Sequence, residues 1–163
     1  MSPSNILDTK SKGDIGLTKI IADLTEKGIG VALPIAEHFP YDLIAISKEH
    51  KLRRISVKYV TLIKGSVSLP LRSICSNMKG YKVKRVDLDK IDGFGIYCPT
   101  NNACYYVPTN ILTEYETAFA LRVDERGIRK YSHKSTDFID CNVLFARMPD
   151  KCEDPAATRL GTV

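Results

Sequence analysis

Two short segments on either side of a polar turn limit the fold of this chain more than any other feature. Asp42–Ile46 and Leu52–Val60 are apolar-patterned stretches flanking Lys48-Glu49-His50-Lys51. Runs of that length, bounded by a turn of that composition, form adjacent antiparallel strands. Centring the turn near His50 sets Asp42 opposite Lys58 and Ile44 opposite Ser56. Strand side chains alternate between faces, so Asp42, Ile44, Arg54, Ser56 and Lys58 share one face. Arg53, Ile55, Val57 and Tyr59 take the other, where the apolar members suit packing against a helix.

A helix is available for that role. Leu17, Ile20, Ile21 and Leu24 recur at helical spacing on one side of Ser11–Gly28. Ser11 with Asp14 resembles a capping arrangement, and Gly28 suits a C-terminal stop. Further along, Ile29–Leu33 reads as a strand ended by Pro34, and Ser66–Leu71 as one placed near an edge by Pro70. Ser73–Tyr81 reads as a loop. Ile91–Cys98 and Ala103–Val107 read as strands around a Pro99–Asn102 turn. Pro108–Glu116 predicts a short helix capped by Thr109 or Asn110, and Thr117–Val123 a last strand. No repeat or low-complexity tract interrupts this order. The chain of 163 residues predicts one α/β domain over residues 1–148, helix first and then a mixed sheet, with a disordered tail over 149–163.

Composition removes several function classes. The five cysteines, Cys75, Cys98, Cys104, Cys141 and Cys152, form no Cys-x-x-Cys pair, so neither a zinc site nor a disulfide framework is indicated. Only His38, His50 and His133 exist, too few for a histidine-rich metal centre. No apolar run approaches the ~18 residues needed to span a bilayer, and the polar N-terminus lacks a secretory signal. These features predict a cytoplasmic protein with no membrane partner.

Charge is unevenly distributed. From Lys48 to Arg85 there are eleven basic residues and one acid, Glu49, so that segment carries +10 of a chain whose net charge is +5. A second basic group, Arg126, Arg129, Lys130 and Lys134, follows. A few such charges make an ordinary solvated face. Ten uncompensated ones repel one another unless a polyanion neutralises them, and nucleic acid is the natural choice. The expected phosphate contacts are Arg53, Arg54, Lys64, Arg72, Lys79, Lys82, Lys84, Arg85, Arg129, Lys130 and Lys134.

The polar face of the hairpin has two readings. Asp42 and Lys58 facing each other make a surface ion pair worth under ~1 kcal/mol, or they make part of a phosphodiester-cleaving site. In the second reading Asp42 holds Mg²⁺, a hard cation suited to carboxylate, carbonyl and water ligands, or Mn²⁺ in its place. Ser56 and the Val57 carbonyl supply neighbouring oxygens, and Lys58 positions the attacking water and meets developing negative charge. Asp42 is out of pattern at the start of an otherwise apolar strand, and the strand carrying Arg54, Ser56 and Lys58 begins the basic segment.

At these residues the chain resembles the PD-(D/E)XK endonucleases associated with group I introns, homing endonucleases built on a restriction-enzyme fold. The matching stretches are Lys12-Gly13-Asp14-Ile15, Leu33-Pro34 with Pro40-Tyr41-Asp42-Leu43-Ile44, Ile55-Ser56-Val57-Lys58, and Ile96-Tyr97-Cys98-Pro99 followed by Tyr105-Tyr106-Val107-Pro108. Together they cover residues 12 to 123. The resemblance implies a restriction-endonuclease-like core with a mixed sheet flanked by helices, divalent-metal cleavage of double-stranded DNA, and assembly into a homodimer or homotetramer. It makes Asp42 a metal ligand and Lys58 the catalytic lysine. Asp14 becomes an accessory acid or simply a carboxylate serving the helix dipole. Glu37 becomes a further acid or a solvated loop residue. The family has Glu, Asp or Gln two residues before the lysine, where this chain has Ser56, a neutral and shorter oxygen donor. Three functions suit this set: a sequence-recognising endonuclease, a structure-selective nuclease of the Holliday junction resolvase kind, and a DNA-binding protein whose catalytic site has decayed.

Overall fold

The computed structural model describes residues 7–36, 38–77, 80–124 and 132–146. Glu37, Lys79, Arg126, Arg129, Lys130 and the expected tail lie outside the described residues.

The first helix, α1 (Thr9–Glu26), starts two residues before the expected Ser11. Its N-cap is Asp8, whose Oδ1 accepts the Ser11 N–H at 2.6 Å, leaving Ser11 inside the first turn rather than capping it. Ile20 and Leu24 are fully buried on one face, as their spacing requires. The helix ends at Gly28, in the left-handed region at φ 76°. There the Gly28 N–H reaches the Thr25 carbonyl and the Ile29 N–H reaches the Leu24 carbonyl, the paired bonds of a Schellman stop.

Five strands form the main sheet: β1 (Gly30–Ala32), β2 (Leu43–Ile46), β3 (Leu52–Tyr59), β7 (Gly93–Cys98) and β8 (Ala103–Pro108), adjacent in that order. All neighbours are antiparallel except β3 and β7, which run parallel. The sheet is therefore mixed, with β3 in the middle. A second sheet holds β4 (Ser66–Pro70), β9 (Ala118–Arg122) and β10 (Ser132–Lys134), with β9 central. A separate two-stranded ribbon joins β5 (Arg72–Asn77) to β6 (Gly80–Arg85).

The helix covers one face of the main sheet, where Ile20, Leu24, Leu43, Ala45, Ile55 and Tyr106 are buried together. Gly95 allows that close approach, since a Cβ there would stand 3.0 Å from the Ile20 side chain. The opposite face is covered by the second sheet only over β7 and β8, where Phe94, Ile96, Tyr105 and Val107 pack against Val67, Leu69, Phe119 and Leu121. Every residue of β7 is consequently buried, in keeping with its continuous apolar run. The β2–β3 part of that face has no such cover: Ile44 and Ile46 are half-buried, Leu52 is 57% exposed, and Asp42 is exposed.

Three expectations are corrected. The hairpin register is two residues shorter than expected, with Leu43 opposite Ile55 and Ile46 opposite Leu52. The turn explains this. Ser47 N donates to Lys51 O and His50 sits at φ 63°, so the loop has three residues and ends in a left-handed one. Ser73–Tyr81 is not a loop, because β5 and β6 occupy most of it. Pro108–Glu116 holds only one 3₁₀ turn, Thr109–Ile111, without a side-chain cap.

Candidate active site

The shorter register moves Asp42 across from Ser56 instead of Lys58. Asp42 precedes the first residue of β2, and its N–H donates to the Ile55 carbonyl. Its Oδ2 accepts the Val57 N–H at 2.5 Å and the Ser56 hydroxyl at 3.2 Å. Both bonds fall on one oxygen, which fixes the carboxylate and leaves Oδ1 with no hydrogen-bond donor among the described residues. Ser56 is buried at 6% exposure, so its hydroxyl is committed to orienting Asp42.

Lys58 lies two residues beyond Ser56 on the same face of β3. It is half-buried and has no hydrogen bond or ion pair among the described residues. Asp42 and Lys58 are diagonal neighbours, a separation of about 7–8 Å that a long lysine side chain can bridge. The surface ion pair considered from sequence is therefore absent, and one face holds an oriented carboxylate and an ammonium side by side.

The Val57 carbonyl completes the oxygen set. A residue's N–H and C=O point to the same side of a strand, and the Val57 N–H points toward Asp42. Its carbonyl thus faces the β2 side beyond the start of that strand. One carboxylate oxygen, one carbonyl and surrounding water fit a hard divalent cation, which keeps several waters when few carboxylates are offered. Among the described residues no three His, Cys, Asp or Glu side chains come together, and the other acid at this face, Asp92, is engaged by Arg54. Asp14 is exposed on α1, which covers the other face of the sheet, and its side chain has no bond to the Asp42 cluster.

The basic residues divide by what they touch. Arg53, expected at the phosphate surface, is 5% exposed. Its Nε donates to Leu144 O at 3.1 Å and its guanidinium lies over the Phe145 ring, so it anchors the C-terminal 3₁₀ turn. Arg54 forms two bonds of 3.0 Å to the Asp92 carboxylate, and its backbone N–H donates to the same carboxylate at 2.8 Å. Arg72 and Arg85 are tied to Glu116 and to the Tyr115 carbonyl. Lys64, Lys84 and Lys134 are exposed. Asp92, 8% exposed, was missed from sequence although it shares the Asp42 signal, an acid at the mouth of an apolar strand.

Asp42 is exposed and Lys58 half-buried. A cavity of about 130 Å³ near the hairpin turn is lined by Lys27, Lys48, Asn142 and Phe145. Among the described residues no helix is long and apolar enough to cross a membrane.

A mixed sheet with a helix on one face, and an Asp on one strand beside an x-Lys pair on the next, describes a nuclease core. The family model for PD-(D/E)XK endonucleases matches residues 7–138, and the chain belongs to that family. A solved structure described as a bacterial homing endonuclease, I-Ssp6803I, shares the fold at a TM-score of 0.70 with 20% sequence identity, covering 85% of this chain and 93% of that one. No curated protein sequence matches. Endonucleases of this family generally use divalent metal ions and bind DNA.

Proposed function

We propose that the protein hydrolyses phosphodiester bonds in double-stranded DNA with Mg²⁺, Mn²⁺ being an alternative ion, and that Asp42 and Lys58 carry the chemistry. The observation behind this is the Asp42 carboxylate, held through one oxygen by Ser56 and Val57, next to Lys58 on the same face, which has no partner among the described residues. The ion, when bound, polarises the phosphate and its attacking water. Asp42 Oδ1 and the Val57 carbonyl are the groups that hold it. Ser56 keeps the carboxylate in place, and the Lys58 ammonium orients a water and meets negative charge developing on the phosphoryl oxygens. An open face suits a duplex, which no cavity of 130 Å³ admits. Contacts to the duplex come from exposed Lys64, Lys84 and Lys134 together with Lys79, Lys82, Arg129 and Lys130. Cutting both strands of one site calls for two copies of this single-site domain, hence a homodimer or homotetramer. Site-specific cleavage of the homing type is the reading best matched to the structural neighbour.

Asp42→Ala and Lys58→Ala are each expected to lower Mg²⁺-dependent plasmid nicking by about 100-fold or more, with salt-dependent duplex binding retained. Nicking by both variants at the parental rate refutes the assignment.

Ser56 supports a second reading. Where the family places an acid, this chain has a buried hydroxyl committed to Asp42, so the site offers the ion less negative charge. A binding protein with a decayed site would hold duplex yet cut in neither Mg²⁺ nor Mn²⁺, and Ser56→Glu would restore cutting.

A further inference from the structure

The β5–β6 ribbon stands apart from both sheets, its two strands pairing with each other alone. Its root is fixed. Leu71 N donates to Thr117 O and Val86 N to Leu71 O. Arg72 and Arg85 face each other across the strands, a like-charge pair that is unfavourable unless each finds another partner. Each does, in the same short segment: Arg72 Nε donates to Glu116 O at 3.0 Å, and Arg85 Nη2 to Tyr115 O at 2.9 Å. The two arginines aim the ribbon.

Beyond the root, register sorts the residues. Ser73 opposes Lys84, Cys75 opposes Lys82 and Asn77 opposes Gly80 on one face, while Ile74 opposes Val83 and Ser76 opposes Tyr81 on the other. By sequence, the first set contains no aliphatic residue. Residues 72–85 contain five basic residues and no acid. Lysines that only protect open strand edges require no such sorting. A ribbon of this kind matches a major groove, which is about 12 Å wide and admits two antiparallel strands. Strands of six residues extend about 20 Å, more than the groove's depth of about 8.5 Å.

We infer that the ribbon enters the major groove of the bound duplex with its Ser73–Asn77 and Lys82–Lys84 face toward the base edges, and so reads sequence. This rests on the reading of the chain as a nuclease of double-stranded DNA. Lys64, outside the ribbon, touches phosphate only.

The test is selection of bound sequences from a duplex pool with a randomised centre, in Ca²⁺ so that binding proceeds without cutting. The wild-type protein is expected to enrich a defined motif. Ser73→Ala with Lys84→Ala is expected to lower enrichment about ten-fold at one block of adjacent base pairs, whereas Lys64→Ala weakens binding evenly and keeps the motif. If the double variant fails to fold by thermal melting, Lys82→Gln answers the same question. An unchanged motif in the ribbon variants, no motif with the wild type, or ribbon-dependent self-association without duplex affinity would each overturn the inference. Motif selection by a protein that cuts nothing would sink the proposed chemistry and leave the ribbon's role standing.

Discussion

The main sheet is one continuous ladder whose two halves have different surroundings. At β7 and β8 both faces are covered, by α1 and by the second sheet, and β7 is buried at every residue. At β2 and β3 only the helix side is covered. On the other side stand Asp42, Arg54, Ser56 and Lys58, none of which a dry interface accepts without a partner. Arg54 meets that requirement with Asp92, and Ser56 with Asp42. Lys58 has no partner among the described residues, and an ammonium is tolerable there because that half is open to water and to a phosphate.

The difference can be attacked from either side. Phe94→Ala, in the covered half, is expected to cost about 3–5 kcal/mol, measured by urea unfolding. Ile44→Ala, on the open half, is expected to cost about 1 kcal/mol, in proportion to its smaller buried area. Equal losses would mean the open half is as dry as the covered one. Asp92→Ala removes the carboxylate partner of a half-buried Arg54 and is expected to cost about 2 kcal/mol, below the ~3–5 kcal/mol of a fully buried pair because the arginine is partly solvated. A loss that disappears when Arg54 is changed to Met in the same chain would show that the unpaired charge causes it. Ser56→Ala removes one of two bonds that orient Asp42. Stability should fall by about 1 kcal/mol or less, and the Mg²⁺ concentration for half-maximal nicking should rise. An unaltered metal requirement would detach Ser56 from the site.

The smallest effect concerns the helix-covered side. Burial pushes the Cys104 thiol up to about 11, with the nearby Asp23 charge acting in the same direction. Tyr106, buried and donating to Asp23, is likewise raised. A folded pKa above its unfolded value favours the protonated form, so this contribution is complete below the thiol's ordinary value of 9.0 and is lost as pH rises toward 11. The melting temperature should decline across that interval, and less steeply in Cys104→Ala. A decline of equal slope in the variant would assign it elsewhere.

Much of this was legible from local pattern. The helical spacing of Ile20 and Leu24, the Gly28 stop and the alternation along β3 each follow from the chain's immediate chemistry, and the structure agrees with them. The sharing of a face by Asp42, Ser56 and Lys58 survived even the wrong register, because a slip of two residues leaves side-chain parity unchanged. Asp42 was visible as a charge at the start of an apolar strand. Asp92 carried the same mark and was overlooked.

Tertiary structure decided what depends on residues far apart in the chain. A single left-handed residue, His50, shortened the turn and placed Asp42 opposite Ser56. Parallel pairing of β3 with β7, which brings Ser56 beside Phe94, arises from burial of both strands and leaves no local trace. The same holds for the basic residues: Arg53 is buried, Arg54 paired and the ribbon root tied down by partners 30 to 91 positions away. Sequence alone determined which side chains alternate and which faces are apolar, since those follow from backbone geometry over a few residues. Which charges remain available to a phosphate was decided only when distant segments packed, because a charge is neutralised by what folds against it.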